Sequence, residues 1–462
     1  MTAEFMLTGP DAASSRVTRY RTFRLAVLGL AMAGIAGCDT VTGIFTSDDK
    51  TVLPGERLSV MELGAVLEVD PAVADLDIEL PPARANADWP QPGGAPSNAM
   101  HHLEASGNFA RAWSANAGSG SSGAARLVAV PVIVGERIYV LDARGSVRAM
   151  ERQSGRTVWT VSLVPKNENA AEARGGGIAY DDGKIFVTTG FGNVHALDPA
   201  GGAELWVQAI GDPFRAAPTA TGGRIFAVTA DNQMICISQD SGEVLWRHRG
   251  IVESAGILTS TSPAVSGAVV IAPYSSGELV ALRVENGTPV WSDSLTRTGN
   301  VTSLSELNDI AGRPVIDRNR VIAVSHSGRM VSIDLRTGER VWTRDIGSVQ
   351  TPWVAGEYIF VVTTSQELLA ISRRDGRIRW LSALPRYKNP EKRTGNIEWS
   401  GPILVGERLF LVSSDRDAIT VSPYTGEIGE TISLSGGALI PPVVAGGTVY
   451  VLTNNATLVA LR

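Results

Sequence analysis

The chain has 462 residues, 44% of them apolar and 19% charged, with 49 glycines, 24 prolines and ten tryptophans, which suits a globular, turn-rich protein of two or three ordinary domains or one large repeat array. Its net charge of -6 and the absence of a basic stripe exclude the electrostatic footprint of a nucleic-acid binder. Two cysteines, Cys38 and Cys236, exclude a disulfide framework and a cysteine-based zinc site.

At the N-terminus, Arg16, Arg19, Arg21 and Arg24 precede thirteen apolar residues, Leu25 to Gly37. That run is too short to span a membrane and fits the core of an export signal, so residues 1–37 are predicted to be a signal peptide. It ends in IAGC, and this resembles the lipobox of bacterial lipoproteins, which implies cleavage before Cys38 and leaves that cysteine as an acylated N-terminus. The other reading is an ordinary signal peptide with a chance cysteine. Several acyl chains, at about 0.8 kcal/mol per buried CH₂, would make a nearly permanent anchor. Asp39 follows the cysteine, and in some bacteria that residue retains lipoproteins at the inner membrane. Residues 38–107 show no repeat, and runs such as ELPPARANADWPQPGGAP read as an extended tether with local packing ahead of the repeats.

From residue 108 the chain is periodic. SGRTVW ends at Trp159, GGAELW at Trp206, SGEVLW at Trp246, NGTPVW at Trp291, TGERVW at Trp342 and DGRIRW at Trp380, while a seventh copy, TGEIGE, keeps Gly426 but has Glu430 in place of tryptophan. Each phrase follows a short apolar strand that usually starts at proline, a β-branched second strand such as RIYVLD or YIFVVT, and a third strand such as SVRAM or ELLAI. Four short strands per unit, recurring every 38 to 51 residues, is the signature of a β-propeller.

There are eight first, second and third strands but only seven fourth strands after them, since the chain stops at Arg462. NFARAWSAN, residues 108–116, is predicted to supply the missing strand, with Trp113 in the place of the repeat tryptophan. The prediction is an all-β, eight-bladed propeller over residues 108–462, with four-stranded antiparallel blades and closure by an N-terminal strand, which leaves no open edge. A tryptophan buries 150–250 Å², roughly 4–6 kcal/mol at about 25 cal/mol per Å², so Trp113, Trp159, Trp206, Trp246, Trp291, Trp342 and Trp380 read as wedges between blades. The alternative is a set that stacks a quinone or other ligand. Cys236 falls in a third-strand column of Ala149, Ala196, Ala281, Ser332, Ala370, Thr420 and Ala460, and reads as a small filler before any redox role.

Sites of chemistry are scarce. GSGSSG, Gly118 to Gly123, fits a dinucleotide fingerprint in spelling, but with no helix to follow it reads as a flexible connector. His101 and His102 are adjacent without a third metal ligand, and Asp181–Asp182 sits in a hairpin turn, where Asp is common for backbone reasons. No catalytic residue, metal ligand or cofactor site is predicted.

The phrases ending in Trp, with RIYVLD…SVRAM before them, resemble the repeats of pyrroloquinoline-quinone dehydrogenases, which are eight-bladed propellers. Those enzymes carry adjacent cysteines and a calcium site, and this chain has no adjacent cysteines. From lipobox to last residue, with DWPQPGG at 88–94, the chain more closely resembles the BamB family of outer-membrane assembly lipoproteins. That resemblance implies a non-enzymatic scaffold at the periplasmic face of the outer membrane. Its partners would be the periplasmic domains of the barrel-inserting subunit and unfolded outer-membrane proteins. A quinoprotein dehydrogenase, or its non-catalytic relic, and a ligand-binding propeller remain the other readings.

Connections from each fourth strand to the next blade are long at 164–176, 249–262, 295–313 and 384–401, and share the face opposite the short turns, as binding loops do. The second and third correspond to the family's docking loops, so the resemblance implies partner contacts at Ile257, Leu258 and Asp309, although an arginine near Leu258 and a second acid near Ala311 are missing from the pattern.

Overall fold

A computed structural model describes residues 67–105, 107–123, 125–253, 256–257, 261–296 and 307–462. Cys38, Asp39 and Leu258 lie outside the described residues. The described chain is an eight-bladed propeller of four-stranded antiparallel sheets, and its only helical element is a 3-10 turn at Ala170–Glu172.

Blade I comprises Val132–Val134, Arg137–Leu141, Ser146–Glu151 and Thr157–Ser162, and blade II Gly176–Asp181, Lys184–Thr189, Asn193–Leu197 and Glu204–Ala209. Blade III comprises Thr219–Thr221, Arg224–Val228, Gln233–Ser238 and Val244–Arg249, and blade IV Ala264–Ser266, Val269–Pro273, Glu278–Arg283 and Pro289–Ser294. Blade V comprises Val315–Asp317, Arg320–Val324, Met330–Asp334 and Arg340–Arg344, and blade VI Trp353–Ala355, Tyr358–Val362, Glu367–Ser372 and Ile378–Ala383. Blade VII comprises Trp399–Val405, Arg408–Ser413, Asp417–Val421 and Ile428–Ser433. Blade VIII joins Val443–Ala445, Thr448–Leu452 and Thr457–Leu461 to Arg111–Asn116, which pairs antiparallel with the last strand. The N-terminal strand therefore closes the ring.

Burial follows position within the blade. Second strands such as Arg137–Leu141 and Tyr358–Val362 are buried from their second residue on, because neighbouring blades cover both faces, and they read as continuous apolar runs. Fourth strands such as Thr157–Ser162 and Glu204–Ala209 alternate between exposed and half-buried residues, because they form the rim.

The repeat phrase has a geometric explanation. Each tryptophan faces a small third-strand residue of its own blade, as in Cys236↔Trp246, Ala196↔Trp206 and Ala460↔Trp113. Its indole then reaches the next blade: Trp159 donates to Pro199 O at 3.1 Å, Trp206 to Gln239 O at 3.0 Å and Trp380 to Pro423 O at 3.0 Å. The glycine of the following phrase lies under that ring. At Gly242, with φ +74°, a Cβ would stand 2.8 Å from Trp206, so glycine answers both the left-handed backbone and the close approach.

This pairing accounts for the irregular copy as well. Gly426 is retained because a Cβ there would stand 2.6 Å from Trp380 of blade VI. Glu430 stands in the tryptophan's place, and across that seam Phe109, from the closing segment of blade VIII, packs against Phe410 with ring centroids 5.1 Å apart. An open groove of about 340 Å³ runs past Glu430, Arg408 and Thr420 instead.

The N-terminal segment does more than pack locally. Residues 86–103 form a collar against the free inner edges of all eight blades in ring order. Asn86 Nδ2 donates to Val444 O in blade VIII, and Asn86 O accepts from Gly446 N. Trp89 and Ile133 of blade I exchange backbone hydrogen bonds of 2.7 and 2.9 Å, and Pro90 O accepts from Tyr180 N of blade II. Gln91 Nε2 donates to Tyr180 O and Ala220 O at 2.8 Å each, and its Oε1 accepts from Ala220 N of blade III. Pro96 O accepts from Val265 N of blade IV, Ser97 O from Ile316 N of blade V, and His101 O from Trp353 Nε1 of blade VI. Leu103 N donates to Leu404 O of blade VII. Innermost strands would otherwise leave a circle of unpaired amides and carbonyls around the axis, and the collar satisfies them.

Two connectors also differ from their sequence reading. The serine-glycine stretch is pinned, with Ser119 N donating to Asp142 Oδ2 and Ser121 N to Asn454 O. The loop at 384–401 contains a two-stranded hairpin, Tyr387–Asn389 with Thr394–Asn396, and the start of the first strand of blade VII.

Candidate functional site

The face opposite the collar carries the long connections. Between blades III and V, three of its loops meet on one carboxylate. Asp309, 1% exposed, accepts from Arg215 Nη1 at 2.6 Å and from Ile257 N at 2.7 Å, and its carbonyl accepts from His326 N. Arg215, itself buried, also donates from Nη2 to Pro273 O at 3.3 Å. This changes the expectation for Asp309. The family pattern makes it a partner contact, whereas here its carboxylate is turned inward and ties the loops leading into blades III, IV and V together. A buried ion pair breaks even only when its remaining lone pairs and N–H groups are matched, and the Ile257 amide does part of that matching.

The same loop is sewn down nearer the rim. Asn232 Nδ2 donates to Ile251 O at 2.6 Å, and Ile251 N donates to Glu278 Oε2 at 2.7 Å. Asn232 Oδ1 in turn accepts from the Ser275 amide at 3.1 Å and hydroxyl at 3.0 Å. Beneath it, Tyr274 is fully buried, its phenol pushed up by desolvation, and its hydroxyl meets His248 Nδ1 at 2.8 Å. With the backbone held, the side chains of Ile251 and Val252 stand in solvent, each 59% exposed. They are adjacent apolar residues on a fixed backbone, which suits docking more than flexible capture.

Ile257 is half-buried and turns toward the axis, where it lines a mouth of about 450 Å³ with Leu127, Val349, Leu439, Arg126 and Glu398. The structure thus separates what the sequence grouped. Ile257 faces the channel mouth, Asp309 lies beneath the loops, and the repeat tryptophans sit at blade seams away from this face. Ile251, Val252 and Arg215 were not singled out by sequence reasoning. The apolar pair Ile251–Val252 just past a strand end was the available signal.

The histidine pair is divided by its surroundings. His102 Nδ1 donates to Pro81 O at 2.8 Å and its Nε2 accepts from Glu407 N at 3.1 Å, while His101 Nε2 lies 3.6 Å from Asp317. Among the described residues there is no group of three or more His, Cys, Asp or Glu arranged to hold a metal. Cys236 is buried, and desolvation pushes its thiol up to about 11.

Comparison with known proteins gives the following. A family model described as outer membrane protein assembly factor BamB matches residues 104–174 and 143–382. An uncharacterized protein of Rickettsia prowazekii is 26% identical over 271 residues, 58% of this chain and 65% of that protein, so the chain spans just under two thirds of that relative. Outer membrane protein assembly factor BamB of Yersinia pestis is 24% identical over 357 residues, covering 76% of this chain and 88% of the relative. Among solved structures, BamB from Moraxella catarrhalis superposes with a TM-score of 0.64 at 18% identity, over 77% of this chain and all of that one. Quinohemoprotein alcohol dehydrogenase from Comamonas testosteroni reaches 0.63 at 14% identity, over 82% and 81%. These structural likenesses are of fold.

Proposed function

The chain belongs to the BamB family of outer membrane protein assembly factors, and from that premise we propose that it is a non-enzymatic scaffold of outer-membrane protein assembly, docking the periplasmic domains of the barrel-inserting subunit on its long-loop face. Acylation at Cys38 would hold it at the periplasmic face of the outer membrane, where it aids delivery of unfolded outer-membrane proteins. The observation that carries the docking reading is the exposed pair Ile251–Val252 on a backbone fixed by Asn232 and Glu278. Ile257 of the same loop lines the channel mouth, and Leu258, which lies outside the described residues, is proposed as a further contact. Asp309 enters as the residue that sets the loop's shape.

The test is a pull-down of the full chain with the periplasmic domains of the barrel-inserting subunit from the same organism. Ile251→Asp with Val252→Asp, at positions already in solvent, is expected to abolish capture while leaving the unfolding midpoint unchanged. Capture that persists in this double variant would remove the surface from the proposal, and no capture by the unaltered chain would remove the function.

The dehydrogenase structures of the same fold favour a second reading, a quinoprotein or its relic. The residues present fit that group poorly: a cavity of about 30 Å³ on the axis holds Arg313 and no carboxylate and is too small for the quinone, the channel mouth offers Glu398 as its single carboxylate, and Cys236 is the single described cysteine, buried at a blade seam. Quinone-dependent alcohol oxidation after adding pyrroloquinoline quinone and calcium would overturn the scaffold assignment.

A further inference from the structure

The axis of the propeller contains a charge for which nothing said so far accounts. Register pairing aligns one position in each blade, two residues ahead of Val132 in blade I and of its counterparts in the others, as Val130, Gly177, Ala217, Ser262, Arg313, Thr351, Gly401 and Pro441. Seven are apolar, small or neutral. Arg313 is the exception, and it is 3% exposed.

Arg313 faces a cavity of about 30 Å³ on the axis. The collar closes it from one side with Trp89, Pro92, Gly93 and Asn98, and its wall comes from blades I, V, VI, VII and VIII. None of its lining residues is acidic. The guanidinium has one weak partner, Thr351 Oγ1, at 3.4 Å from Nη1. Its Nε and Nη2 have no hydrogen-bond acceptor, and neither does the indole Nε1 of Trp89 on the same cavity. Asn98 is held by donation from Nδ2 to Pro314 O, with its Oδ1 unmatched. Burial alone pulls the Arg313 guanidinium down, to about 9, and no neighbouring carboxylate opposes it.

A buried guanidinium without a counter-charge is costly, and such ions in proteins are normally paired or hydrogen-bonded. Water can accept from the orphan N–H groups but brings no charge. The lining offers three orphan donors against one orphan acceptor, with apolar walls from Val130, Ile403 and the prolines. The volume exceeds the 10–15 Å³ or so that one water requires by about one further small guest.

We propose that this axial cavity is a binding site for one small monovalent anion of halide size, held by Arg313 Nε and Nη2 and the Trp89 indole N–H. The anion neutralises Arg313 and couples the collar to blade V, since Trp89 belongs to the first and Arg313 leads into the second. The cavity lies at the inner end of the 295–313 connection, and its test reads stability and bromide scattering rather than partner capture, so it stands or falls independently of partner docking.

The experiment uses the full chain at constant ionic strength, replacing gluconate, which is too large for the cavity, with chloride. The unfolding midpoint is expected to rise by about 2 °C once chloride reaches ten times its dissociation constant. Arg313→Met, which keeps the length and removes the charge, is expected to lose that dependence, and Trp89→Phe to weaken it. Crystals soaked in bromide provide the direct reading: an anomalous peak between Arg313 and Trp89 is expected. The same chloride dependence in Arg313→Met as in the unaltered chain, or a cavity holding only water in bromide-soaked crystals, would overturn the proposal. The bromide measurement decides the matter even if the variants fail to fold.

Discussion

Trp206→Ala and Glu430→Ala alter the same place in two repeats, and the geometry sets very different costs for them. Trp206 spans the seam from blade II to blade III, packs at a tilt of 34° against Phe186 with ring centroids 6.1 Å apart, donates to Gln239 O at 3.0 Å and lies against Gly242. Truncation removes a large half-buried ring and one hydrogen bond, and since fully buried aromatic-to-alanine changes cost about 3–5 kcal/mol, a cost of about 2–4 kcal/mol is expected here. Glu430 has only a loose surface pair with Arg408 at 3.6 Å, and its loss is expected to cost under about 1 kcal/mol. Gly242→Ala adds a second arm. Its φ of +74° costs an L-residue about 1–2 kcal/mol, and a Cβ 2.8 Å from the Trp206 ring adds about 1–3 kcal/mol of overpacking. In the double variant the ring is gone, so the overpacking disappears and the two effects sum to less than their separate values by about that second amount. The assay is urea unfolding followed by far-UV circular dichroism, which does not depend on the altered tryptophan. A cost below about 1 kcal/mol for Trp206→Ala, or strict additivity with Gly242→Ala, would refute the wedge-and-shelf account of the repeat.

Three further outcomes are expected. Gln91→Ala strips hydrogen bonds from Tyr180 O, Ala220 O and Ala220 N at the collar and should cost about 3 kcal/mol in the same urea assay, where the loss expected of a surface residue would mean that the collar does not hold the blades. Asp309→Ala leaves the buried Arg215 unpaired and should cost about 3–5 kcal/mol, while Asp309→Leu with Arg215→Met should recover most of it by the same denaturation measurement. Burial lowers His101, His195 and His248, with the Glu204 carboxylate partly opposing the shift at His195. The unfolded chain then binds more protons than the folded one below about pH 6.5, so the urea midpoint should be level above that value and fall as pH drops below it toward the folded values.

Most of the architecture was legible in the chain because it repeats. Blade number, strand order, closure by residues 108–116 and the tryptophan positions all follow from a local pattern written many times, and repetition turns weak local preferences into a clear period. The glycine shelf could be seen as a spacing but not explained, since Gly242 and Trp206 belong to different repeats and meet only once the blades pack. The collar left no such trace. Residues 86–103 occur once, and their partners are backbone groups of strands up to 358 residues away, as with Asn86 and Val444. The candidate site divides along the same line. Long loops on one face were countable from the sequence, whereas the inward turn of Asp309, the exposure of Ile251 and Val252 and the isolation of Arg313 on the axis depend on which distant groups surround each side chain. Burial and charge pairing are properties of neighbours in space, and for residues outside the repeat only the folded ring decides who those neighbours are.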